Sequence, residues 1–495
     1  MSRSRRTFLQ GAAAASAGAI ALGSSTFANA TPVPPPAKWD RTVDVVVAGG
    51  GAGGLLTAAV LAQNGVSVIL LEKEPTTGGS SAICGGQIAF ADTDMQKAKG
   101  INDSPELLTK DLLEVGQHLN DAALVKAYAD NQLATYEWLK KVGAKFTQII
   151  SAGGSSVPRM HVVDPGQHLR LLRETALKAG ATIMDRTPAE RLVYNQAAKK
   201  IEGVMARDRS RRPIAIKANR AVVLATGGYS RDKKLLALFT PPMKNTSAIS
   251  GLGSNGDGVL MGWAAGAGLA DVAYVKATFG FKPGALSIAK DFAYLFYKGA
   301  MIVNQEGKRF VNESISYKLI GDAAATQTGG YGYQIYDEPI RQIGLKEPLG
   351  SSNPSELEKS NSIVKADSIA ELATKIGMPD VLQHTVNEYN ANAAKGIDPL
   401  FGRTTLTSNY GKPTEIKAAP FYAFKSVPVI VGTYAGLTIN PLAQATDVYG
   451  DVIPALYAIG EVTGGFHGGA YMSGSAFGKT QVFGLIAANS ILHKA

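Results

Sequence analysis

The chain has 495 residues, 45% of them hydrophobic, which is enough for two or three domains with buried cores. Its net charge is +10, but the lysines and arginines are scattered rather than gathered in a dense patch, which argues against nucleic-acid binding. The single cysteine, Cys84, excludes an internal disulfide, the C-x-x-C-H motif of c-type haem is missing, and the six histidines lack the spacing of metal ligands. We expect a globular protein without a metal site, whose mildly basic surface suits an acidic redox partner.

The first thirty residues have the pattern of an export signal. Ser4–Gln10 (SRRTFLQ) matches the twin-arginine motif at all but its last place, and Ala28–Ala30 (ANA) is typical of a cleavage site. The apolar run between them, Gly11–Leu22, is shorter than the roughly 20 residues needed to span a bilayer. We predict a leader over residues 1–30 that is cleaved after Ala30, export of the folded protein to the periplasm, and no membrane span.

Val43–Lys73 has the pattern of a βαβ unit around a glycine turn. An apolar strand leads into G-x-G-x-x-G at Gly49, Gly51 and Gly54, a helix follows, and a second apolar run ends at Glu72. In such a unit the glycines make a tight turn, admit a pyrophosphate and let the helix pack on the strand. The helix N-terminus attracts phosphate, and the distal acid accepts hydrogen bonds from a ribose. These features predict a bound dinucleotide.

Three further glycine-rich segments indicate which dinucleotide is bound. GGSSAICGG follows the βαβ unit at Gly78–Gly86, and ANRAVVLATGGYS (Ala218–Ser230) is an apolar strand that ends in glycines. PALYAIGEVTGG (Pro454–Gly465) is another, with Glu461 placed to meet a polar chain. Several glycine-rich strand ends that converge on one ligand suit a long cofactor such as FAD better than NAD.

These segments, together with GSNGDGVLMG (Gly253–Gly262), GKRFVNES (Gly307–Ser314) and LYAIGEVTGGFHGG (Leu456–Gly469), carry a family resemblance. From about Val43 to Ala488 the chain resembles the flavoprotein family of soluble fumarate reductases and 3-oxosteroid dehydrogenases. The resemblance implies an α/β fold in which a Rossmann-like FAD-binding domain is interrupted by a smaller α+β substrate cap.

By that likeness the FAD-binding domain covers residues 31–273 and 433–495, and the cap covers residues 274–432. Some members attach FAD to a histidine just before the GG of the second segment. That stretch has no histidine here, so we expect non-covalent FAD. The predicted cofactor contacts are Gly49, Gly51, Ala52, Gly53, Gly54, Glu72, Lys73, Gly79, Ser80, Ser81, Cys84, Gly85, Gly86, Ala225, Thr226, Gly227, Asn255, Asp257, Gly460, Glu461, Ser475 and Ala476.

In this family the loop GGAYMSGSAFG (Gly468–Gly478) passes beside the isoalloxazine and opens a helix, here from about Ser475 to Ser490. The start of that helix would place backbone N–H groups and a positive dipole end near the charged edge of reduced flavin. Upstream, Phe292, Tyr294 and Phe296 alternate in DFAYLFY. A strand there would put three rings on one face, either as cap core or as an apolar wall over the substrate.

The residues that hold fumarate in the family are replaced in this chain. Fumarate reductases carry an arginine in H-G-x-N-R-L-G-G, where this chain reads FHGGAYMSG, with Tyr471 at or next to that place and His467 retained. The arginine that donates a proton to fumarate corresponds to Tyr317. The family's E-x-x-R pair falls in Asp291–Gly299, which has neither residue. We therefore expect a substrate other than fumarate.

Tyr317, Tyr471 and Ser473 instead resemble the site of the 3-oxosteroid dehydrogenases, and with His467 they form the predicted catalytic set. The resemblance implies that Tyr317 is the base and that Tyr471, with Ser473 in a Y-x-S arrangement, holds the ketone oxygen. A free phenol has a pKa of about 10, so the base needs a positive neighbour; Lys318, Lys298 and His467 are the candidates. Alternatively, each tyrosine simply packs.

We therefore expect an FAD-dependent dehydrogenase that converts a small apolar cyclic ketone, of the cyclohexanone or 3-oxosteroid type, to its α,β-unsaturated ketone. The electrons would pass to a separate acceptor, which could be a cytochrome c, a quinone or oxygen. An alternative runs the same site backwards, as a periplasmic ene-reductase fed by a cytochrome c. A third interpretation is a flavoprotein whose main role is binding or electron transfer.

Overall fold

A computed structural model describes residues 30–151, 153–275, 277–288, 290–347, 353–378, 381–407 and 410–493 of the chain. The predicted leader, apart from Ala30, lies outside the described residues. Within these ranges, no helix is both long enough and apolar enough to cross a membrane.

The described ranges contain nineteen strands and thirteen α-helices, numbered in chain order. The strands are β1 Arg41–Ala48, β2 Val68–Leu71, β3 Gln87–Ala89, β4 Gln148–Ile150, β5 Met160–Val162, β6 Thr182–Met184, β7 Ala189–Asn195, β8 Lys200–Arg207, β9 Pro213–Leu224, β10 Ser247–Ala248, β11 Leu269–Ala270, β12 Thr278–Phe281, β13 Met301–Val303, β14 Gly332–Asp337, β15 Ile363–Ala366, β16 Phe421–Ile430, β17 Gly436–Leu437, β18 Gln444–Thr446 and β19 Val452–Ala458. The helices are α1 Ala52–Gln63, α2 Asp94–Lys97, α3 Pro105–Val115, α4 Ala122–Val142, α5 Pro165–Lys178, α6 Lys233–Phe239, α7 Asp257–Ala264, α8 Tyr317–Ala325, α9 Glu338–Leu345, α10 Ser355–Lys359, α11 Ile369–Lys375, α12 Val381–Ala393 and α13 Ser475–His493.

A mostly parallel sheet forms the centre of the larger unit, with strand order β18-β19-β9-β1-β2-β6 and with β8 and β7 added beside β9. Strand β1 lies between β9 and β2, parallel to both, and Val45–Ala48 are fully buried. Such an apolar run is typical of a parallel strand that is covered on both faces. Because β1, β2, β9 and β19 run in the same direction, their carboxyl ends meet at one edge of the sheet.

A second sheet is built around β16. It pairs antiparallel with β12, β14 and β15 and parallel with β10, and β13 extends the sheet beyond β14. Strand β10 comes from the chain before residue 274, so this sheet also includes residues outside the predicted cap. The cap boundaries of 274–432 stay a prediction.

The buried apolar residues form two main cores. The first draws on residues between Ala30 and Ala277 and again between Ile430 and Ile491. The second draws on residues between Ala293 and Phe424. The chain leaves the first core, builds the second and then returns, as expected for the predicted α/β fold in which a smaller unit interrupts a larger one.

Two local expectations had different outcomes. The helix predicted from Ser475 is confirmed, and it runs on to His493. DFAYLFY does not form the strand that would put its three rings on one face: Phe292 makes one isolated bridge to Phe281, and Leu295–Lys298 is a 3₁₀ turn. The side-chain oxygen of Gln334 accepts the N–H groups of Leu295 (2.9 Å) and Phe296 (3.3 Å), so a buried amide takes the place of a neighbouring strand.

Gly53 allows α1 and α13 to pack closely, because a Cβ added there would lie only 2.4 Å from the Thr480 carbonyl oxygen. We expect Gly53→Ala to force the helices apart and to lower the free energy of unfolding by about 1–3 kcal/mol. The measurement is the thermal midpoint of the flavin-loaded protein. Gly166→Ala is the matched control, since Gly166 also lies in the first turn of a helix and a Cβ there meets Asp164 Oδ1 at an ordinary 3.4 Å. Equal midpoints for the two variants would contradict this account of the packing.

Candidate active site

A cavity of about 1140 Å³ lies at the carboxyl edge of the parallel sheet and extends beneath the second sheet. The turns after β1, β9 and β19 form one part of its wall. Residues from the second unit, including Phe292, Tyr294 and Tyr317, form the opposite part. The cavity therefore joins the predicted cofactor segments to the predicted substrate residues.

The glycine turn after β1 has the geometry that its sequence predicted. Gly49 has a φ of +114°, and a Cβ there would lie 2.2 Å from the Ala225 carbonyl oxygen. A Cβ on Gly54 would lie 2.0 Å from Gly49 O, so the third glycine seats α1 on the turn. At Gly51, on the cavity wall, the nearest neighbour of an added Cβ is Ser81 Oγ at 3.6 Å. The turn is tight where the chain must close and open where a ligand must approach.

Two charged groups follow β2. The buried Glu72 accepts the Gly50 N–H at 2.9 Å and the Glu74 N–H at 2.8 Å, and burial raises the pKa of its carboxyl. Lys73 Nζ lies 2.5 Å from Asp257 Oδ2 at the start of α7. Glu72, Lys73 and Asp257 all line the cavity, so they can contact the sugar and the polar linker of a dinucleotide.

The residues on this part of the cavity wall suit a phosphate-containing ligand. Gly51 leaves the backbone open to a ligand, since an added Cβ there meets only Ser81 Oγ at 3.6 Å. With the carboxylate of Glu72 on the same wall, this fits a long phosphate-containing dinucleotide. The residues present therefore fit FAD.

Most of the predicted cofactor residues lie on the wall. Those are Gly49, Gly51, Glu72, Lys73, Gly79, Ser80, Ser81, Cys84, Gly85, Gly86, Ala225, Thr226, Gly227, Asp257, Glu461 and Ala476. Six do not line it: Ala52, Gly53, Gly54, Asn255, Gly460 and Ser475. Ser475 Oγ, for example, donates to Met472 O at 2.7 Å, which closes the turn before α13. In the described ranges, no group of three or more His, Cys, Asp or Glu residues could hold a metal ion.

The two predicted catalytic tyrosines meet across the cavity. Tyr317 Oη donates to Tyr471 Oη over 3.4 Å. Burial raises the pKa of the Tyr471 hydroxyl well above its ordinary value, and the neighbouring Tyr317 and Tyr434 add to this effect. Tyr471 therefore stays protonated and can donate to a substrate oxygen.

Tyr317 is held from two sides by aromatic neighbours. Its ring is stacked on that of Tyr294, with 5.3 Å between centroids and 8° between planes. Its backbone N–H donates to Tyr297 Oη at 2.7 Å, and that hydroxyl donates to Ile315 O at 3.0 Å. These contacts fix the start of α8 and thereby the direction of the Tyr317 phenol.

Ser473 lies close to this pair. Its N–H donates to Gly153 O at 2.9 Å. A Cβ on Gly153 would lie 3.6 Å from Ser473 Oγ and 3.9 Å from Tyr317 Cε1, so both side chains face the same point of the 153–156 loop. The structure thus brings together Tyr317, Tyr471 and Ser473, which are far apart in the chain.

Of the three candidates for a positive neighbour, Lys318 lies beside the tyrosines. Its Nζ is 4.9 Å from the ring centroid of Tyr471 and 6.0 Å from that of Tyr317. Lys298 instead lies 3.6 Å from Glu347. His467 lines the cavity, but burial, reinforced by nearby Lys479 and Lys318, holds its pKa well below the ordinary value. His467 is therefore neutral and cannot supply the charge.

Comparison with known proteins now identifies the family. The family described as "FAD binding domain" matches residues 44–477. The chain belongs to this FAD-binding family. It is 32% identical over 457 residues to a "Fumarate reductase (cytochrome)" of Shewanella frigidimarina, covering 90% of this chain and 76% of that protein.

Two solved structures show the same fold. The open conformation of a flavocytochrome c3 fumarate reductase has a TM-score of 0.78 at 29% identity, over 92% of this chain and 79% of that one. The 3-ketosteroid-delta4-(5alpha)-dehydrogenase from Rhodococcus jostii RHA1 has a TM-score of 0.76 at 25% identity, over 93% of this chain and 99% of that one. The flavoprotein described here is therefore an FAD-dependent oxidoreductase, and its particular closeness to the ketone dehydrogenases stays a prediction.

Two residues of this flavoprotein's site escaped the sequence analysis. Tyr434, at a φ of +55°, places its ring 4.6 Å from that of Tyr471 and 5.2 Å from that of His467. A single tyrosine in the sequence TYAG does not predict these ring contacts. Lys479 lies one turn into α13, donates to Thr463 O at 2.8 Å, and has its pKa lowered to about 8 by burial. The predicted helix start at Ser475 could have revealed its inward position.

The cofactor prediction is tested by flavin retention. We expect the purified protein to be yellow and to release FAD into the supernatant when it is denatured. Gly49→Ala should lose the flavin, because its Cβ would overlap Ala225 O in a backbone conformation that alanine rarely adopts.

The matched control is Gly65→Ala, where φ is also positive (+77°) but nothing lies within 4 Å of the added Cβ. Flavin that stays with the precipitated chain would contradict non-covalent binding. A Gly49→Ala protein that keeps stoichiometric FAD would contradict the role of the turn.

Proposed function

We propose that this flavoprotein desaturates a cyclic ketone, of the cyclohexanone or 3-oxosteroid type, to the α,β-unsaturated ketone. The main support for this proposal is that the Tyr317, Tyr471 and Ser473 side chains all line one cavity. Among the described residues that line the cavity there is no arginine, the residue best suited to a substrate carboxylate. The similarity to a 3-ketosteroid dehydrogenase over nearly its whole length supports the same choice.

Removing two hydrogens beside a ketone requires a base for the α-proton and donors for the oxygen, which becomes an enolate as the proton leaves. When bound, FAD would supply the acceptor for the hydride that leaves the β-carbon. Tyr317 takes the α-proton, and Lys318 Nζ lies 6.0 Å from the centroid of its ring. Tyr471, which stays protonated, donates to the oxygen together with Ser473. Preorganised donors of this kind act most strongly on the enolate-like transition state.

The wall around these hydroxyls is apolar. Phe292, Tyr294, Ile288, Leu319 and Val431 line the cavity. Phe292 and Tyr294 pack with ring centroids 4.8 Å apart. Such a wall stabilises a carbocyclic substrate by the hydrophobic effect. This supports a cyclic ketone over a small diacid.

A second candidate function is the reverse reaction, reduction of an activated alkene by a periplasmic ene-reductase. The specific observation in its favour is the 32% identity to a cytochrome-linked fumarate reductase. In that direction Tyr317 would deliver the proton, and a cytochrome c would supply the electrons. Under either proposal the leader exports the protein, so that its redox partner is periplasmic.

Anaerobic titration separates the two directions. Oxidised enzyme is mixed with cyclohexanones, saturated 3-oxosteroids and saturated acids, and chemically reduced enzyme is mixed with enones and enoates. Bleaching of the flavin by a cyclic ketone supports the desaturase. Fast reoxidation by enoates with no bleaching by any ketone would overturn it in favour of the reductase. Flavin that responds to neither set would indicate a binding or electron-transfer protein.

The role of Tyr317 predicts the first variant. Tyr317→Phe removes the hydroxyl but keeps the ring that is stacked on Tyr294. We expect ketone oxidation to fall by about 10²–10⁴-fold, the usual contribution of a general base, with FAD content unchanged. The measurement is the rate of anaerobic flavin bleaching in a single turnover. Tyr449→Phe, at a residue that is 88% exposed, is the control. Activity of Tyr317→Phe within about threefold of wild type would remove it from the mechanism.

The role of Tyr471 predicts the second variant. Tyr471→Phe removes an interaction that strengthens as the enolate forms, so the loss should lie mostly in kcat, at about 10²–10³-fold. Ser473→Ala should cost less if a backbone N–H of the loop shares the task. A phenolic ligand that mimics the enolate gives a second measurement, because its charge-transfer band should weaken in Tyr471→Phe. If kcat and band are both unchanged, Tyr471 merely packs.

A further inference from the structure

A second polar cluster lines the same cavity on the side of the second sheet. It consists of Lys298, Glu347 and Tyr410, which come from three separate segments of the chain. None of these residues has a part in the proton abstraction or oxyanion binding described above. The cluster therefore needs its own explanation.

Lys298 ends the 3₁₀ turn Leu295–Lys298, and it is 5% exposed. Its Nζ lies 3.6 Å from Glu347 Oε1, which is longer than a hydrogen bond, and 4.7 Å from the ring centroid of Tyr410. Within the described part of the chain it makes no shorter polar contact. An ammonium carries three N–H donors. Because Lys298 lines the cavity, these donors can reach an oxygen acceptor of a bound ligand.

The charge of the cluster limits what that acceptor can be. Tyr410 Oη donates to Glu347 Oε1, so the carboxylate is held beside the ammonium and neutralises it. A ligand carboxylate at Lys298 would face the negative Glu347 and be repelled. A ketone or hydroxyl oxygen can accept a hydrogen bond from the ammonium without that cost. The cluster therefore suits a neutral oxygen.

The cluster is linked in the chain to the catalytic tyrosines. Tyr297, next to Lys298, accepts the Tyr317 N–H through its hydroxyl and also lines the cavity. Ile315 lines the same cavity, as do Tyr471 and Lys298. A ligand whose one oxygen is held by Tyr471 can therefore extend within this cavity toward Lys298.

We propose that Lys298 forms a second substrate subsite, which binds a ketone or hydroxyl oxygen distant from the ketone that is desaturated. This inference rests on the proposed function. It narrows the substrate class to cyclic ketones with a second neutral oxygen at the far end and an apolar skeleton between the two.

The test compares matched ligands in Lys298→Met, which keeps the length of the stem but removes the charge. One pair is a saturated 3-oxosteroid with a second ketone on its five-membered ring and the same steroid with a methylene there. The other pair is a cyclohexanone with and without a second ketone across the ring. Dissociation constants are measured on the flavin-loaded enzyme from the change in flavin absorbance. Lys298→Arg is the conservative variant, and Lys308→Met, at an exposed residue of the same unit, is the control.

We expect wild type to bind the diketone of at least one pair about tenfold or more tightly than its partner, as for a hydrogen bond to a charged donor. Lys298→Met should lose that preference and bind the monoketone within about twofold of wild type. Lys298→Arg should keep part of the preference, and Lys308→Met all of it. Equal weakening of both ligands in Lys298→Met would assign Lys298 a structural role only, and would overturn the subsite.

A wild-type enzyme without any preference for a diketone, including one that binds neither member of either pair, also overturns it. Anaerobic bleaching distinguishes this failure from failure of the proposed function. Bleaching by monoketones without a diketone preference keeps the desaturase and removes the subsite. A diketone preference that depends on Lys298, without bleaching by either ligand, keeps the subsite and removes the desaturation.

Discussion

The close contact between the turn after β1 and the end of β9 determines where everything else in this protein lies. Gly49 approaches Ala225 so closely that only glycine fits, and Gly54 meets the same turn from the start of α1. These contacts hold the carboxyl ends of two parallel strands side by side and aim the helix N-terminus at the gap between them. A dinucleotide phosphate then finds partial positive charge and bare backbone in one place. The position of the cofactor in turn defines where a substrate can react.

The chemistry depends on how the second unit sits over that edge. Tyr471 belongs to the loop before α13, which packs in the first core, whereas Tyr317 begins α8, whose Ile320 and Ala324 pack in a small cluster with Phe279 and Phe296. The 3.4 Å between their hydroxyls is therefore a contact between two separately packed parts of the chain. A shift of the second unit by about an ångström would separate the two hydroxyls, and under the proposed function the rate would fall, because rates depend steeply on such distances.

Burial and nearby charges determine which groups in the cavity are protonated. Burial keeps the Tyr471 hydroxyl protonated, and it keeps His467 neutral beside Lys479 and Lys318. The ammonium of Lys318 lies among the rings of Tyr317, Tyr434 and Tyr471. Of these rings, Tyr471 is the nearest to the ammonium, at 4.9 Å, and Tyr317 the farthest, at 6.0 Å. Under the proposed function, a fold shared with a fumarate reductase serves another substrate because side chains, rather than the backbone, choose the substrate.

The sequence by itself determined the cofactor half of the molecule. G-x-G-x-x-G at Gly49–Gly54, the acid Glu72 and the helix from Ser475 are local patterns, in which spacing dictates geometry, and the structure reproduces them. Family resemblance also singled out Tyr317, Tyr471 and Ser473, which do converge. Only the tertiary structure decided which lysine lies beside the tyrosines and that Tyr434 joins them. It also decided that part of DFAYLFY is a 3₁₀ turn, with the Leu295 N–H bonded to the Gln334 side chain. The reason is physical: these outcomes depend on side-chain contacts between segments distant in the chain, and local periodicity carries no information about such partners.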